Sequence, residues 1–443
     1  MPGGVSSRGV GPEVEKGWID LSQMVIRPRL LIGSVDIPPS KSIAHRAIIA
    51  AALADGYSLI ENFMTSKDME ATIGGMKSLG AEISVMDDGN SLKISGGSKI
   101  ETAIDIDCIE SGSTLRFLIP LALVKNRQAI FRGQGRLVER PLGEYLKVFK
   151  SHGVDYSLPE NRLPLSVKGV LESGEYNIVG GVSSQFITGL LFALPLLKGD
   201  SMIHIEGELE SRGYIDLTID VLKDFGIEIG NRSYKGFFIQ GNQVYKSRNF
   251  RIEGDYSQAA FWLAAGVLGN GIRLNGLNIQ SLQADKVILD ILRAMGGNIV
   301  IGNAWIEAKH SGLKGIRIDV SQCPDLVPIL AVLGTLAEGT TIIENAARAR
   351  LKESDRLYAI TTGLNKLGGN VEEIRDGLII NGVESLNGGE VDSFNDHRIA
   401  MALAVAATGA SGDVIINGNE SVHKSYPGFW DDFRRLGGLA DEQ

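Results

Sequence analysis

Six glycines divide the chain at nearly equal intervals. Gly80, Gly153, Gly226, Gly296, Gly368 and Gly437 stand 73, 73, 70, 72 and 69 residues apart. Each closes an amphipathic helical pattern that follows an apolar helical run, a strand-like run and a polar loop. A period of about seventy residues is too long for the common helical solenoids and too helical for a propeller blade. It fits six copies of one compact α/β unit.

The third copy shows the pattern clearly. Phe186 to Leu197 is apolar almost all round, which marks a buried helix, and Gly199-Asp200 stops it. Ser201 to Gly207 reads as a strand, and the following loop carries Glu210, Ser211, Arg212 and Tyr214. Ile215 to Phe225 is amphipathic, with Lys223 in its last turn, where a cation suits the helix dipole. Equivalent apolar helices are expected over Ile43–Leu53, Leu115–Val124, Ala259–Leu268, Leu326–Leu336 and Ile399–Ala407. Their strands are expected at Tyr57–Asn62, Ala129–Gly133, Gly271–Gly276, Thr340–Asn345 and Asp413–Gly418. Six apolar helices cannot all lie on a surface, so they are expected inside, with sheets and amphipathic helices around them.

A chain of 443 residues suits two domains. The six units could split into two sets of three or close into one ring. Pro38-Pro39 and Arg251–Asp255 are the boundary candidates for a split. The net charge of −9 argues against a nucleic-acid protein while leaving room for a locally basic cleft. Cys108 and Cys323 form neither a disulfide framework nor a metal-ligand pattern, so a reducing compartment, the cytoplasm, is expected. Residues 1–23 read as a flexible Gly/Ser-rich extension without the apolar core of a signal peptide, and Met24 is an alternative start. The longest apolar runs fall short of the ~20 residues needed to span a bilayer.

The charged residues concentrate at two equivalent places in the unit. One precedes each apolar helix: Ser40-Lys41-Ser42, Ser111-Gly112-Ser113-Thr114, Ser183-Ser184-Gln185, Gly254-Asp255-Tyr256-Ser257, Pro324-Asp325 and Asp396-His397-Arg398. Ser, Thr and Asp there can serve simply as N-caps. Caps do not require Lys41, Arg46, Arg116 and Arg398 beside them, whereas free helix N–H groups with nearby cations make an anion site. The second place is the strand-to-helix loop, with Arg136 and Arg140, then Ser211, Arg212 and Tyr214. In the fifth unit it carries Arg348, Arg350, Lys352, Glu353, Asp355 and Arg356, and in the sixth Lys424. A solvated charge run would explain one such loop, but not its recurrence. Gly133-Gln134-Gly135 lacks the context of a dinucleotide site, and no Walker A, GxSxG or HExxH pattern is present. His397 has no companion at metal-ligand spacing.

Four segments in order carry a resemblance: Ile37-Pro38-Pro39-Ser40-Lys41-Ser42 with Arg46, Leu351-Lys352-Glu353-Ser354-Asp355-Arg356, Asp396-His397-Arg398, and Lys424-Ser425-Tyr426-Pro427-Gly428-Phe429. Together they resemble the 5-enolpyruvylshikimate 3-phosphate synthase family, over nearly everything from Met24 to Leu439. The resemblance implies an α/β fold, a two-domain inside-out α/β barrel of two sets of three units, with buried helix N-termini facing an interdomain cleft. It places residues 24–38 plus 253–443 in one domain and 39–252 in the other. It also implies transfer of the enolpyruvyl group of phosphoenolpyruvate to the 5-hydroxyl of shikimate 3-phosphate, with release of phosphate. By the resemblance, no metal or organic cofactor, nucleic acid or membrane is expected to take part, and a monomer is expected.

By that resemblance the shikimate 3-phosphate pocket holds Lys41, Ser42, Arg46, Ser183, Ser184, Gln185, Ser211, Tyr214, Asp325, Arg348 and Lys352. Phosphoenolpyruvate would meet Lys41, Gly112, Arg140, Gln185, Arg356, Arg398 and Lys424, with Arg116, Asp396 and His397 in support. Asp325 would take the hydroxyl proton, and Glu353 or Lys41 would handle the proton at the methylene carbon. Two phosphoryl groups and two carboxylates bring about −5 to −6 of charge, a load these cations can balance. Gly112 leaves room for phosphoenolpyruvate or for glyphosate.

Several positions depart from the family pattern: Pro39 stands where Gly is frequent, His45 where Asn is, Glu110 and Ser113 where Asn and Thr are, and Arg348 where Asn is. Two other readings compete. The enolpyruvyl transferase of UDP-N-acetylglucosamine shares the chemistry, but its reactive loop cysteine has no evident counterpart here. A non-catalytic repeat scaffold would explain the period without explaining the acids and cations.

Overall fold

The computed structural model describes residues 22–96, 103–124 and 127–443. The expected N-terminal extension lies outside the described residues as far as residue 21.

Among the described residues, six four-stranded sheets pack around six buried helices. In the second unit the strand Ala103–Asp107 leads into the buried helix Gly112–Ala122, and the strand Arg127–Arg132 returns parallel to the first. The outer helix Gly143–Ser151 follows, then an antiparallel pair, Asp155–Ser157 and Leu165–Gly169. The unit is therefore β-α-β-α-β-β. The sequence pattern showed its middle and missed both the leading strand and the terminal pair. These strands are three to six residues long in the second unit, too short for period-two alternation to stand out. Each sheet is an open four-stranded ladder, and none closes on itself among the described residues. "Inside-out barrel" thus describes helices enclosed by separate sheets.

The apolar helices lie where their composition requires. Every residue from Tyr256 to Val267 is buried, as is every residue from His397 to Ala407. The third is shorter than its apolar run: it ends at Ala193 and continues as a 3-10 turn over Leu194–Leu196. Pro195 has no N–H to extend the ladder. All six outer helices carry a Lys or Arg in the last turn, as expected of Lys223 in the third. The six closing glycines have φ between 65° and 102°, a left-handed conformation that glycine adopts without a Cβ clash.

Three sheets borrow a strand from far away in sequence. Asn249–Arg251 leads the first unit's sheet, Gly33–Asp36 leads the fourth's, and Gln23–Arg27 pairs with Val414–Asn417 and Leu439–Glu442 in the sixth. The buried side chains accordingly form two hydrophobic cores. One runs from Ile43 to Ile252, and the other joins Met24–Ile37 to Tyr256–Ala440. The chain passes between them twice, at residues 38–40 and 253–255. There the passages are tied by a bridge between Pro39 and Gly254 and by Ser40 N–H donating to Glu253 O at 2.8 Å.

Candidate active site

The cleft between the two cores is lined by the first turns of five of the buried helices: Lys41 and Ser42, Gly112 and Ser113, Ser184 and Gln185, Asp325, and His397 with Arg398. The N-caps are real. Ser111, Ser183 and Asp396 accept from N–H groups of their own helices. Ser40 makes no such cap, and Asp255 Oδ2 accepts from Lys41 N–H in its place. The strand-to-helix loops supply Arg140, Ser211, Arg348, Lys352 and Glu353, and the first turns of the helices that follow them supply Tyr214 and Arg356. The lining holds eight Lys or Arg against Asp68, Asp325 and Glu353, an excess of five positive charges in a chain of net charge −9. A basic cleft in an acidic protein selects small anions.

The carboxylates sit among these cations. Asp325 Oδ1 meets Arg356 at 2.7 Å and Lys352 at 3.1 Å, while Oδ2 meets Tyr214 OH at 3.2 Å and Arg398 at 3.3 Å. Burial alone would raise the Asp325 pKa, but Arg398, Lys352 and Arg356 outweigh it and hold the carboxyl well below its usual range. Glu353 bridges Arg356 at 2.6 Å and Arg140 at 3.1 Å. Burial likewise works against its charge, and Arg140 and Arg356 prevail, so Glu353 is also an anion. Arg356, 1% exposed, uses its third nitrogen on Asp396 at 2.8 Å. Asp396 therefore stands behind the cleft wall and orients Arg356.

His397 lies on the wall with neither ring nitrogen bonded. Burial and the nearby Lys41 lower its pKa well below the usual histidine value, so the ring is neutral. Arg46 lines the cleft, yet its guanidinium donates to Thr218 Oγ1, the Ser42 carbonyl and the Tyr214 carbonyl. It ties the helices Lys41–Leu53 and Arg212–Asp224 together. Arg116 donates to Gln185 Oε1 at 2.6 Å, and Gln185 donates to Ser113 Oγ at 3.0 Å, which fixes the amide at the cleft edge. Arg348 reaches Ser211 Oγ at 2.8 Å and pairs with Glu210 at 2.5 Å.

Of the residues expected at the site, all but Asp396 and Lys424 line the cleft. Lys424 is engaged with Glu110 instead. Asp68, which pairs with Lys41 at 2.8 Å, is a lining residue that sequence reasoning missed. It sits in the first turn of the helix Lys67–Ser78, where an acid needs no explanation beyond the dipole. Cys108 and Cys323 are buried, and burial pushes both thiols far up, so neither is a ready thiolate. No helix among the described residues is long and apolar enough to cross a membrane.

Comparison with known proteins shows the family and the fold. A 3-phosphoshikimate 1-carboxyvinyltransferase of Clostridium novyi is 53% identical over 430 residues, covering 95% of this chain and 99% of that protein. One from Clostridium acetobutylicum is 56% identical over 421 residues, covering 94% and 98%. The solved EPSP synthase of Acinetobacter baumannii superposes with a TM-score of 0.81 at 26% identity, covering 95% of this chain and all of that one. Residues 26–433 match the family described as EPSP synthase (3-phosphoshikimate 1-carboxyvinyltransferase), and the chain belongs to that family.

Proposed function

We propose that the two rims of the cleft divide the substrates of the family's reaction between them. That reaction is the enolpyruvyl transfer of the shikimate pathway, and this chain is an enzyme of it. Shikimate 3-phosphate lies against Ser42, Ser183, Ser184, Ser211, Tyr214, Arg348 and Lys352, with Arg46 holding the wall behind. Phosphoenolpyruvate lies against Gly112, Arg140, Gln185, Arg356, Arg398 and Lys424, and Lys41 stands between the two.

One observation carries this reading: Asp325 is the meeting point of Lys352, Arg356 and Arg398, which the reading assigns to different substrates. A carboxylate held ionised there is placed to take the proton of the attacking hydroxyl while its oxygen bonds to carbon 2 of phosphoenolpyruvate. A proton reaches the methylene carbon from Lys41 or Glu353. Loss of that proton and breakage of the carbon–oxygen bond to phosphate then regenerate the double bond. Glu353 is an anion because Arg140 and Arg356 face it. Substrate anions that engage those arginines weaken their hold, raise the Glu353 pKa and let it carry a proton. The cations stabilise the tetrahedral intermediate and the departing phosphate.

Residues 24–38 plus 253–443 and 39–252 act as two domains that close on the substrates and exclude water. The two buried thiols suit a reducing compartment such as the cytoplasm.

The test is phosphate release from phosphoenolpyruvate, with shikimate 3-phosphate and UDP-N-acetylglucosamine offered in parallel. Release with shikimate 3-phosphate alone, lost in Asp325→Ala, is expected. Release with the UDP-sugar alone would overturn the reading.

A further inference from the structure

Lys424 donates to Glu110 Oε2 at 2.7 Å and to the Asn395 carbonyl at 2.7 Å. Asn395 Nδ2 in turn donates to Glu110 Oε1 at 3.3 Å. Glu110 follows Cys108 of one hydrophobic core, while Lys424 lies between Val422 and Tyr426 of the other. The ion pair therefore joins the two halves, 314 residues apart in sequence. Both side chains are largely covered, Lys424 at 11% exposure and Glu110 at 21%, so salt screens the pair poorly.

The backbone on each side is shaped to make this contact. Ile109 is left-handed at φ 51°, an outlier for a β-branched residue. Asp107 Oδ1 accepts its N–H at 2.8 Å, and its carbonyl accepts from Gln134 N–H at 2.6 Å. Phe394 and Asn395 are left-handed too, at 53° and 52°. Strain of this kind persists only where the surroundings over-determine it, and it gathers at functional sites. Gly135 leaves space for the carboxylate: a Cβ there would lie 2.8 Å from Glu110 Oε2.

We propose that Glu110 is a positioning residue that sets the affinity for phosphoenolpyruvate, by offering Lys424 an internal carboxylate in competition with the substrate's own anionic oxygens. The inference rests on the assignment of Lys424 to phosphoenolpyruvate made above. An ammonium held by Glu110 for most of the time is available to the substrate only for the remaining fraction, and apparent affinity falls by that fraction. Shikimate 3-phosphate, placed against other cations, is unaffected. Glu110 touches no reacting atom in this scheme, so its effect falls on KM and not on kcat.

The experiment measures KM for both substrates and kcat by phosphate release. The proteins are the wild type, Glu110→Gln, Glu110→Asp, Lys424→Met and the Glu110→Gln/Lys424→Met double variant. Glu110→Gln keeps the shape and removes the charge. It should lower the phosphoenolpyruvate KM by about three- to tenfold, with kcat and the shikimate 3-phosphate KM unchanged. Glu110→Asp should stay close to wild type, and Glu110→Gln should have no further effect once Lys424 is methionine. A phosphoenolpyruvate KM that is unchanged or raised in Glu110→Gln, while Lys424→Met raises it, would overturn the proposal alone. An unchanged KM in Lys424→Met would overturn the Lys424 assignment beneath it. Direct titration of phosphoenolpyruvate against the same proteins covers a variant too slow for kinetics, with the same outcomes read as dissociation constants.

Discussion

Asp255 caps the helix that begins at Lys41, 214 residues earlier in the chain. Its Oδ2 accepts from Lys41 N–H at 2.9 Å, and its Oδ1 accepts from Ser257 N–H at 2.8 Å and Gln258 N–H at 3.1 Å in its own helix. Those helices belong to different hydrophobic cores, so one carboxylate sets the relation of both to the cleft.

Replacing Asp255 with alanine removes caps from two helices at once. Each lost cap costs about 0.5–2 kcal/mol, so a total of about 1–4 kcal/mol is expected from urea unfolding. A loss below about 1 kcal/mol would mean that neither N-terminus depends on it.

Asp285 gives a pH dependence with a defined sign. Burial, and after it the nearby Asp325, pushes its carboxyl up to about 6. The unfolded chain releases the same proton near pH ~3.9. Between these values the native state binds more protons than the unfolded one, so stability falls as pH rises through that window and levels off above it. Asp285→Asn should remove this component. The check is the urea midpoint of both proteins from pH 4 to pH 7. Parallel curves would refute the assignment.

Asp325 should behave in the opposite sense. Its pKa is depressed, so the stability it contributes relative to Asp325→Asn is full above about pH 4 and disappears as pH falls below that value. The same substitution should lower turnover by about 100- to 10,000-fold, the usual worth of a positioned base. Retention of more than a tenth of wild-type turnover would assign the base elsewhere.

Gly112→Ala tests the room at the phosphoenolpyruvate side. The added Cβ would lie 2.5 Å from one Arg140 nitrogen and 3.3 Å from one of Arg116. Arg140 must shift, and its pairing with Glu353 with it. We expect a rise in the phosphoenolpyruvate KM of roughly tenfold, equivalent to about 1.4 kcal/mol, with a much smaller change for shikimate 3-phosphate. Equal changes in both would mean that the methyl group disturbs the cleft as a whole.

Local features of the chain were legible from sequence because they depend on near neighbours. The apolar run from Ala259 to Leu268 demands burial wherever it sits, Gly226 closes its helix through its own φ, and Asp396 caps the residues that follow it. Repetition supplied the rest: polar segments before six helices, and charged strand-to-helix loops in four units, marked two sets of candidates before any contact was known. The short leading strands escaped because a strand of three to five residues has no signature without its partner.

Tertiary structure alone decided which of those charges act together. Nothing local brings Gln23–Arg27 against Val414–Asn417, gathers Lys352, Arg356 and Arg398 on Asp325, pairs Asp68 with Lys41, or carries Lys424 to Glu110. A long-range charge pair forms only where the backbone brings the partners within reach, and it gains strength where burial removes water; both conditions belong to the packed fold. The sequence by itself therefore determined the repeating unit, its inner and outer faces and the residue types at its two reactive positions. The partners of those residues, and with them their protonation states, came from the packing of the two cores around the cleft.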